Sequence, residues 1–597
     1  MNFSWASVEE GKANELATTV ALTVDYVYHD GSWLPSNPDG VSTIVDNITI
    51  VNGEVTLESI VNVYNLNINA GATLNIKGIL NLYGALDIKG NLIFRSGPGY
   101  TGELGHVEPL TSITGEATVE QYFQNKRAYR MVSPTVTTTT SIHDNWQEGA
   151  TSNTHNPFPN YGTHITGTTI DQTDGFDATQ SGAASMFTVN VASQQFEPIA
   201  NTDVKTLQAG RAYLMYIRGD RSVDLTDNTS SSATTLRAKV ALKRGTVLQM
   251  FYSTTAGQFV MIGNPYQSCV DMATLLAEAE NLNPSFYYVF DPTINTHGGY
   301  VTVFLPSGTN LLGSSAGRYL QPGQGAQVQV VNDGISGVAF SEYHKAAGNL
   351  TSGSVGSKSL SDENMITVQL YTADKFANGG SVQDGVGILF SEDHDNAIDL
   401  YDAKKLMNFG DNLARNHDGN YLSIEHRNLP QTGEILHLYT ADYSGTDYVF
   451  KVIVDGLQKS TLYLVDSYTG NKTLLAAGEN TYAFQVTQDE SSKVSDRFSI
   501  EVEKSLLNNN EVTSLENLTI YPNPVSDDYI YLSTPQLSAH ELNIRISDMV
   551  GRQIQSKSYT VSGNSLKVDF QENLPKGIYL MTVESAIGNQ TFRFIKK

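Results

Sequence analysis

Gly313-Ser314-Ser315-Ala316-Gly317 fits G-x-S-x-G, the pattern that sets a nucleophilic serine on a strand-to-helix elbow. An elbow needs a strand before it, a helix after it and a histidine further along. Here a Gly/Ser stretch runs into Arg318-Tyr319-Leu320 and then Pro322, so the serine reads as loop. Arg218-Gly219-Asp220 could serve adhesion only on a mobile loop tip. It follows the alternating run Tyr213–Ile217, so a turn between strands is the default. Asp171, Asp174 and Asp177 around Gly175, and Asp393, Asp395, Asn396 and Asp399, are the acidic groups that could offer oxygens to calcium. Neither reproduces an EF-hand loop, and the default is a solvated acidic loop. His394, His417, His426 and His437 share one region, but no H-E-x-x-H is present, and His417-Asp418 lies in a Gly/Asn turn. Paired glycosidase carboxylates are distant in sequence and leave no positive sign. The expectation is a protein that is not an enzyme and holds no cofactor or metal.

Composition agrees with a chain built on strands. Charged residues are 17% and hydrophobic ones 40%, with 50 Gly, 31 Tyr and 22 Phe among 597 residues. Such a chain can bury cores under a surface of Ser, Thr, Asn and Gln, which favours strands and turns. Most of its tyrosines read as strand residues, although exposed ones could stack on sugars. The length predicts about three to five domains. A net charge of -25 argues against a nucleic-acid partner, because phosphates attract cations. The single cysteine, Cys269, excludes an intrachain disulfide and reads as a small buried residue. No apolar run reaches the ~18 residues of a membrane-spanning helix. No charged segment followed by an apolar core opens the chain, so the expectation is a piece of a longer protein or a displaced start.

Residues 1–30 show no clear period and read as leader or linker. From 31 to 115 the pairs Leu66/Ile68, Leu74/Ile76, Leu80/Leu82, Leu86/Ile88 and Leu92/Phe94 follow the strand period of two. Gly78, Gly84 and Gly90 recur every six residues. A short strand with an inward apolar pair, then a corner that glycine permits, is the unit of a β-helix coil. This region resembles the short β-solenoid of repeat-type surface proteins; a meander of hairpins is the competing reading. Residues 116–350 form a strand-rich region with one expected helix, capped by Asp271 and carrying the stripe Met272, Leu275, Leu276 and Ala279. It resembles a module common in large surface proteins of the Bacteroidetes, which implies location more than function. Gly348–Ser361 reads as a linker, 363–503 as a β-sandwich, and Asn508-Asn509-Asn510 as a second linker.

The tail, 515–597, has its own character. It carries eight basic and eight acidic residues, so the acidity lies upstream. Leu518/Ile520 leads into Tyr521-Pro522-Asn523-Pro524, where two prolines stop a strand and fix a turn. Leu542, Ile544 and Ile546 alternate up to the turn Asp548-Met549-Val550-Gly551. Leu566/Val568/Phe570 is the next strand, Gly577-Ile578-Tyr579 opens the penultimate one, and Phe592/Phe594 leads to Lys596-Lys597. This ordered set resembles the type A C-terminal sorting domain of the Bacteroidetes type IX secretion system.

The resemblance implies an Ig-like sandwich of about seven strands that acts as a sorting signal, with Pro522, Asn523, Pro524, Asp548, Gly551, Gly577, Ile578, Tyr579, Lys596 and Lys597 in its motifs. The partners it implies are the type IX translocon and an outer-membrane shuttle barrel, with a sortase and surface lipopolysaccharide where the domain is cleaved and the chain anchored. The expectation is therefore an all-β, multidomain protein of the cell exterior or outer-membrane surface. Its role would be structural or adhesive, toward glycans or surfaces, as in a gliding-motility adhesin. The alternatives are the non-catalytic C-terminal part of a secreted hydrolase, or a carbohydrate-binding surface protein.

Overall fold

The computed structural model describes residues 22–350, 364–457, 460–504, 518–533, 541–561, 565–570, 574–585 and 588–597. The linker at Asn508–Asn510 lies outside the described residues, as does all of Gly348–Ser361 beyond residue 350. The chain is all-β: among the described residues its α-helices are three, of 5, 6 and 5 residues. It divides into two compact units. One comprises Met1–Pro430, Ile435–Leu457 and Leu462–Glu501; the other is essentially Val502–Lys597.

The larger unit begins as a three-sided parallel β-helix. Asn47–Ile50, Asn65–Ile68 and Leu86–Ile88 stack on one side; Glu54–Leu57, Thr73–Ile76 and Asn91–Phe94 on the second; Ile60–Val63, Ile79–Leu82 and Glu103–Val107 on the third. Each six-residue repeat is thus one side of a coil. All ten residues of the five apolar pairs point inward and are buried. Outside, side chains form ladders between coils: Asn65 donates to Asn47 at 2.9 Å, and Asn47 to Asp25 at 2.8 Å. The repeat glycines serve the corners through close approach. A Cβ on Gly78 would lie 2.0 Å from the Ser59 carbonyl oxygen, on Gly84 2.4 Å from that of Tyr64, and on Gly90 2.3 Å from that of Ala72.

The stack extends beyond its repeats at both ends. Asp25–His29 lies parallel to Asn47–Ile50, and Ala117–Phe123 lies parallel to Asn91–Phe94. The latter strand then pairs antiparallel with Thr234–Val240, which covers an edge that would otherwise offer unpaired backbone groups. Glu103 fastens the third coil to the following region, accepting from the N–H groups of Cys269 and Gly348 at 2.8 Å each.

That region contains two four-stranded antiparallel sheets, one through Ala128–Val132, Tyr213–Ile217, Met186–Asn190 and Gln195–Pro198. The other runs through Phe259–Gly263, Gly325–Gln329, Phe286–Asp291 and Gly299–Phe304. The expected helix is Met272–Ala277, with the Asp271 carboxylate accepting from the Ala273 N–H and Met272, Leu275 and Leu276 buried. Next, strands from Asn364 to Lys504 form one long sheet that folds over itself. Phe450 and Phe484 meet Phe498 at 4.8 and 4.7 Å between ring centroids, so two layers enclose an aromatic core.

The smaller unit is a seven-stranded sandwich. Thr519–Tyr521, Tyr529–Ser533 and Ser565–Asp569 form one sheet; Gln553–Thr560, Glu541–Asp548, Gly577–Ser585 and Gly588–Lys596 form the other. Leu542, Ile544, Ile546, Val568, Met581, Val583 and Phe594 alternate into a shared core, as the period-two pattern predicts.

Candidate functional site

The motif residues of the tail, spread over 522–597, come together at one end of this sandwich. In the four-stranded sheet Asp548 lies opposite Tyr579, and Gly577 opposite Lys596. The Tyr521–Pro524 turn reaches the same place from the other sheet. Asn523 behaves there as a surrogate strand residue: its amide nitrogen donates to the Arg593 carbonyl at 2.9 Å, and its oxygen accepts from the Ile595 N–H at 3.0 Å. Val525 continues the pairing, donating to the Ile595 carbonyl at 2.8 Å and accepting from the Lys597 N–H at 3.0 Å. Pro522 and Pro524, both preceded by cis peptide bonds, flank the Asn523 contact.

The two terminal lysines have opposite environments. Lys596 is buried, and its ammonium donates to the carbonyls of Ser526 and Asp527 at 2.8 and 2.9 Å. Lys597 is exposed. Spacing already held this difference: two residues beyond Phe594, position 596 returns to the inner face of the strand. Tyr579 is buried, stacks on Phe594 at 5.6 Å between centroids and donates its hydroxyl proton to the Pro575 carbonyl. Ile578 and Ile595, paired across the last two strands, are exposed.

Asp548 organises the neighbouring hairpin. Its carboxylate accepts from the backbone N–H groups of Val550 and Arg552 at 3.1 and 3.0 Å and from Arg552 Nε at 3.1 Å. Burial works against the charge, but these donors outweigh it and hold the carboxyl below its usual value. Gly551 has φ +87°, the left-handed conformation that closes the turn without a Cβ penalty. The pattern of residues 548–551 foretold the turn, but not the part Arg552 plays in it.

The other candidate motifs are structural. Arg218 and Asp220 are buried; Asp220 accepts from the Asn160 N–H and from the Ser222 and Ser232 hydroxyls, so the tripeptide is not displayed. Ser315 and Ser314 line a cavity of about 100 Å3 with Tyr287, Asp291, Gln321 and Gln324, and no histidine lines it. Ser314 donates to Asp291 at 2.5 Å. Both oxygens of Asp177 face the Arg221 guanidinium, at 2.7 and 2.9 Å. Asp395 and Asp399 accept from the N–H groups of Ala397 and Tyr401 in local turns. His426 packs beside His394 at 5.2 Å between centroids. Cys269 is buried, and desolvation pushes its thiol far above the ordinary value.

Residues 519–597 match the family model of the secretion system C-terminal sorting domain. No curated protein matches the chain. Matched solved structures include PorZ, a surface component of the type IX secretion system of Porphyromonas gingivalis, at 11% identity over 70% of this chain and 68% of that one, with a TM-score of 0.14. Another is dimeric latent PorU from Porphyromonas gingivalis, at 12% identity, 66% and 35% coverage and a TM-score of 0.11, so the chain spans about a third of it. A third is the BSP domain of a biofilm associated protein, at 8% identity, 80% and 92% coverage and a TM-score of 0.13. Likenesses at these TM-scores carry no weight for fold or function. Among the described residues no helix is long and apolar enough to cross a membrane. Over residues 519–597 the chain carries a type IX secretion system C-terminal sorting domain, which marks it as a protein secreted to the cell surface.

Proposed function

We propose that this is a structural or adhesive protein of the cell surface, exported by its C-terminal sandwich and acting by contact rather than by catalysis. The observation that carries the export half is the gathering of Pro522–Pro524, Asp548–Gly551, Gly577–Tyr579 and Lys596–Lys597 at one end of an independent unit. A folded handle with its motif residues gathered at one end suits an export machine that must grip many unrelated cargoes. In this reading the partners are the translocon and an outer-membrane shuttle barrel, with a sortase and surface lipopolysaccharide where the chain is anchored. The contact half is supported by the β-helix and sandwich layers, which give a stiff, acidic, polar surface, and by the structural engagement of Ser314, Asp177 and Asp220. Glycans or abiotic surfaces are the ligands this surface suits.

The test is a chain truncated after Asn510 and expressed in the producing bacterium. Loss from the cell surface with retention inside is expected; wild-type surface levels would end the export reading. For the contact half, the purified chain should bind a glycan array or a cell surface and turn over no protein or polysaccharide substrate. Steady hydrolysis of either by the purified chain would end the contact reading.

A further inference from the structure

The sorting sandwich presents apolar side chains where a small soluble domain ordinarily hides them. At the tip of the Asp548–Arg552 hairpin, Met549 is 57% exposed and Val550 89%. At the same end of the sheet Ile578 is 42% exposed and Ile595 39%. Single exposed apolar residues are common, but four at one end of one sheet are a patch. The tip is also held still. Three contacts to the Asp548 carboxylate, the Gly551 N–H to the Asp548 carbonyl at 3.0 Å and the Asp548 N–H to the Arg552 carbonyl at 3.1 Å fix its backbone. An anchor that is already ordered loses little entropy on docking. Exposed cations accompany the patch: Arg552, Lys576 and Lys597, with Asp527 and Asp528 beside Lys596 as the acidic neighbours.

We propose that Met549 and Val550 are the apolar anchor by which the sorting domain docks into a partner protein, in a hydrophobic socket with an acidic rim facing Arg552, Lys576 and Lys597. This rests on the reading of the sandwich as the gripped handle and names the surface that is gripped. A protein socket suits the patch better than a lipid surface does. Two side chains on a rigid tip, with two more at the same end of the sheet, offer the compact, preordered anchor that dominates protein interfaces. Membrane attachment instead demands the apolar area of an acyl chain or a long amphipathic helix, and a second signal with it.

The test uses the full chain in the producing bacterium. Met549→Ser with Val550→Ser should cut the surface level at least tenfold, while purified protein keeps its unfolding midpoint and protease resistance. Met549→Leu with Val550→Leu should restore export. The truncation after Asn510 separates the two claims. Lost export in the truncation with wild-type export of the double-serine variant overturns the anchor and leaves the handle. Wild-type export of both overturns the handle as well. Purified wild-type chain should not sediment with phosphatidylglycerol–phosphatidylethanolamine vesicles; sedimentation that disappears in the double-serine variant would overturn the protein socket in favour of lipid.

Discussion

The Lys596 ammonium donates to the Ser526 carbonyl at 2.8 Å, joining the end of the last strand to the turn after Pro524 across 70 positions of sequence. The penultimate residue is therefore a structural clamp, and Lys597 is the terminal charge left to solvent. Replacing Lys596 with Met keeps the aliphatic stem and removes the donors. It should lower the stability of the sorting sandwich by about 2 kcal/mol, since hydrogen bonds that involve a charged group are worth about 1.5–3 kcal/mol. Lys597→Ala should leave stability within about 0.5 kcal/mol of wild type. Denaturant unfolding followed by hydrogen exchange at the final strand distinguishes the two.

The corner glycines of the β-helix should respond to their surroundings rather than to their backbone angles. Gly78→Ala sets a Cβ against the Ser59 carbonyl, where backbone must move, and should cost about 2–4 kcal/mol. Gly71→Ala, at φ +84° with open space around it, should cost about 1–2 kcal/mol of left-handed strain. Thermal unfolding of both variants gives the ranking; equal shifts would contradict the close-packed corner.

Asp177 and Arg221 are both buried and paired with each other. Asp177→Asn leaves the guanidinium without its counter-charge and should cost about 3–5 kcal/mol. Burial raises the Asp177 carboxyl, but the neighbouring His164 ring, at 3.3 Å, and the Arg221 guanidinium outweigh this and hold it at about 2. Its contribution is complete above the ordinary value of 3.8 and disappears as pH falls through about 2. An unfolding midpoint measured from pH 5 to pH 2 should fall more steeply in wild type than in the variant, which keeps the other depressed carboxyls such as Asp466 and Asp548.

Asp402 has the opposite sign. Burial pushes its carboxyl up to about 6, so the fold holds the proton more tightly than the unfolded chain does. The stabilisation is complete below pH 3.8 and is lost as pH rises through about 6. Asp402→Asn mimics the protonated form and should raise the unfolding midpoint at pH 7.5 while changing it little at pH 4. No gain at pH 7.5 would contradict this assignment.

The Arg218-Gly219-Asp220 segment should not mediate adhesion. Asp220→Glu should weaken folding by crowding the contacts to Asn160, Ser222 and Ser232. A soluble peptide containing the tripeptide should leave cell attachment of the purified chain unchanged. Competition by that peptide would contradict the buried placement.

Much of the architecture was legible because strand periodicity is a local property. Apolar residues at i and i+2 share a face whatever else the chain does, so the pairs from Leu66 to Phe94 and the tail strands at Leu542, Val568 and Phe594 could be assigned from neighbours alone. The helix at Met272–Ala277 was equally local, its cap and stripe lying within nine positions. The six-residue spacing of Gly78, Gly84 and Gly90 implied coils, but their cause lay in the preceding coil, nineteen or so residues back, whose carbonyl oxygens leave no room for a Cβ. Asp25–His29 lacked a repeat to mark it and became a strand by pairing in parallel with Asn47–Ile50 and antiparallel with Ser32–Leu34.

The amino-acid order by itself determined an all-β chain, a repeating N-terminal stack and a tail of sorting-domain strands. Only the tertiary structure decided the fate of the reactive-looking side chains. Ser314, Asp177 and Asp220 found partners as far as 60 positions away, and a carboxylate held by a guanidinium or by hydroxyls is committed to packing. It also decided that Asn523, Asp548, Tyr579 and Lys596 share one end of a sandwich. Which residues meet across two sheets depends on register and closure, set by burying Ile544, Val568 and Phe594 together, and no local pattern records that.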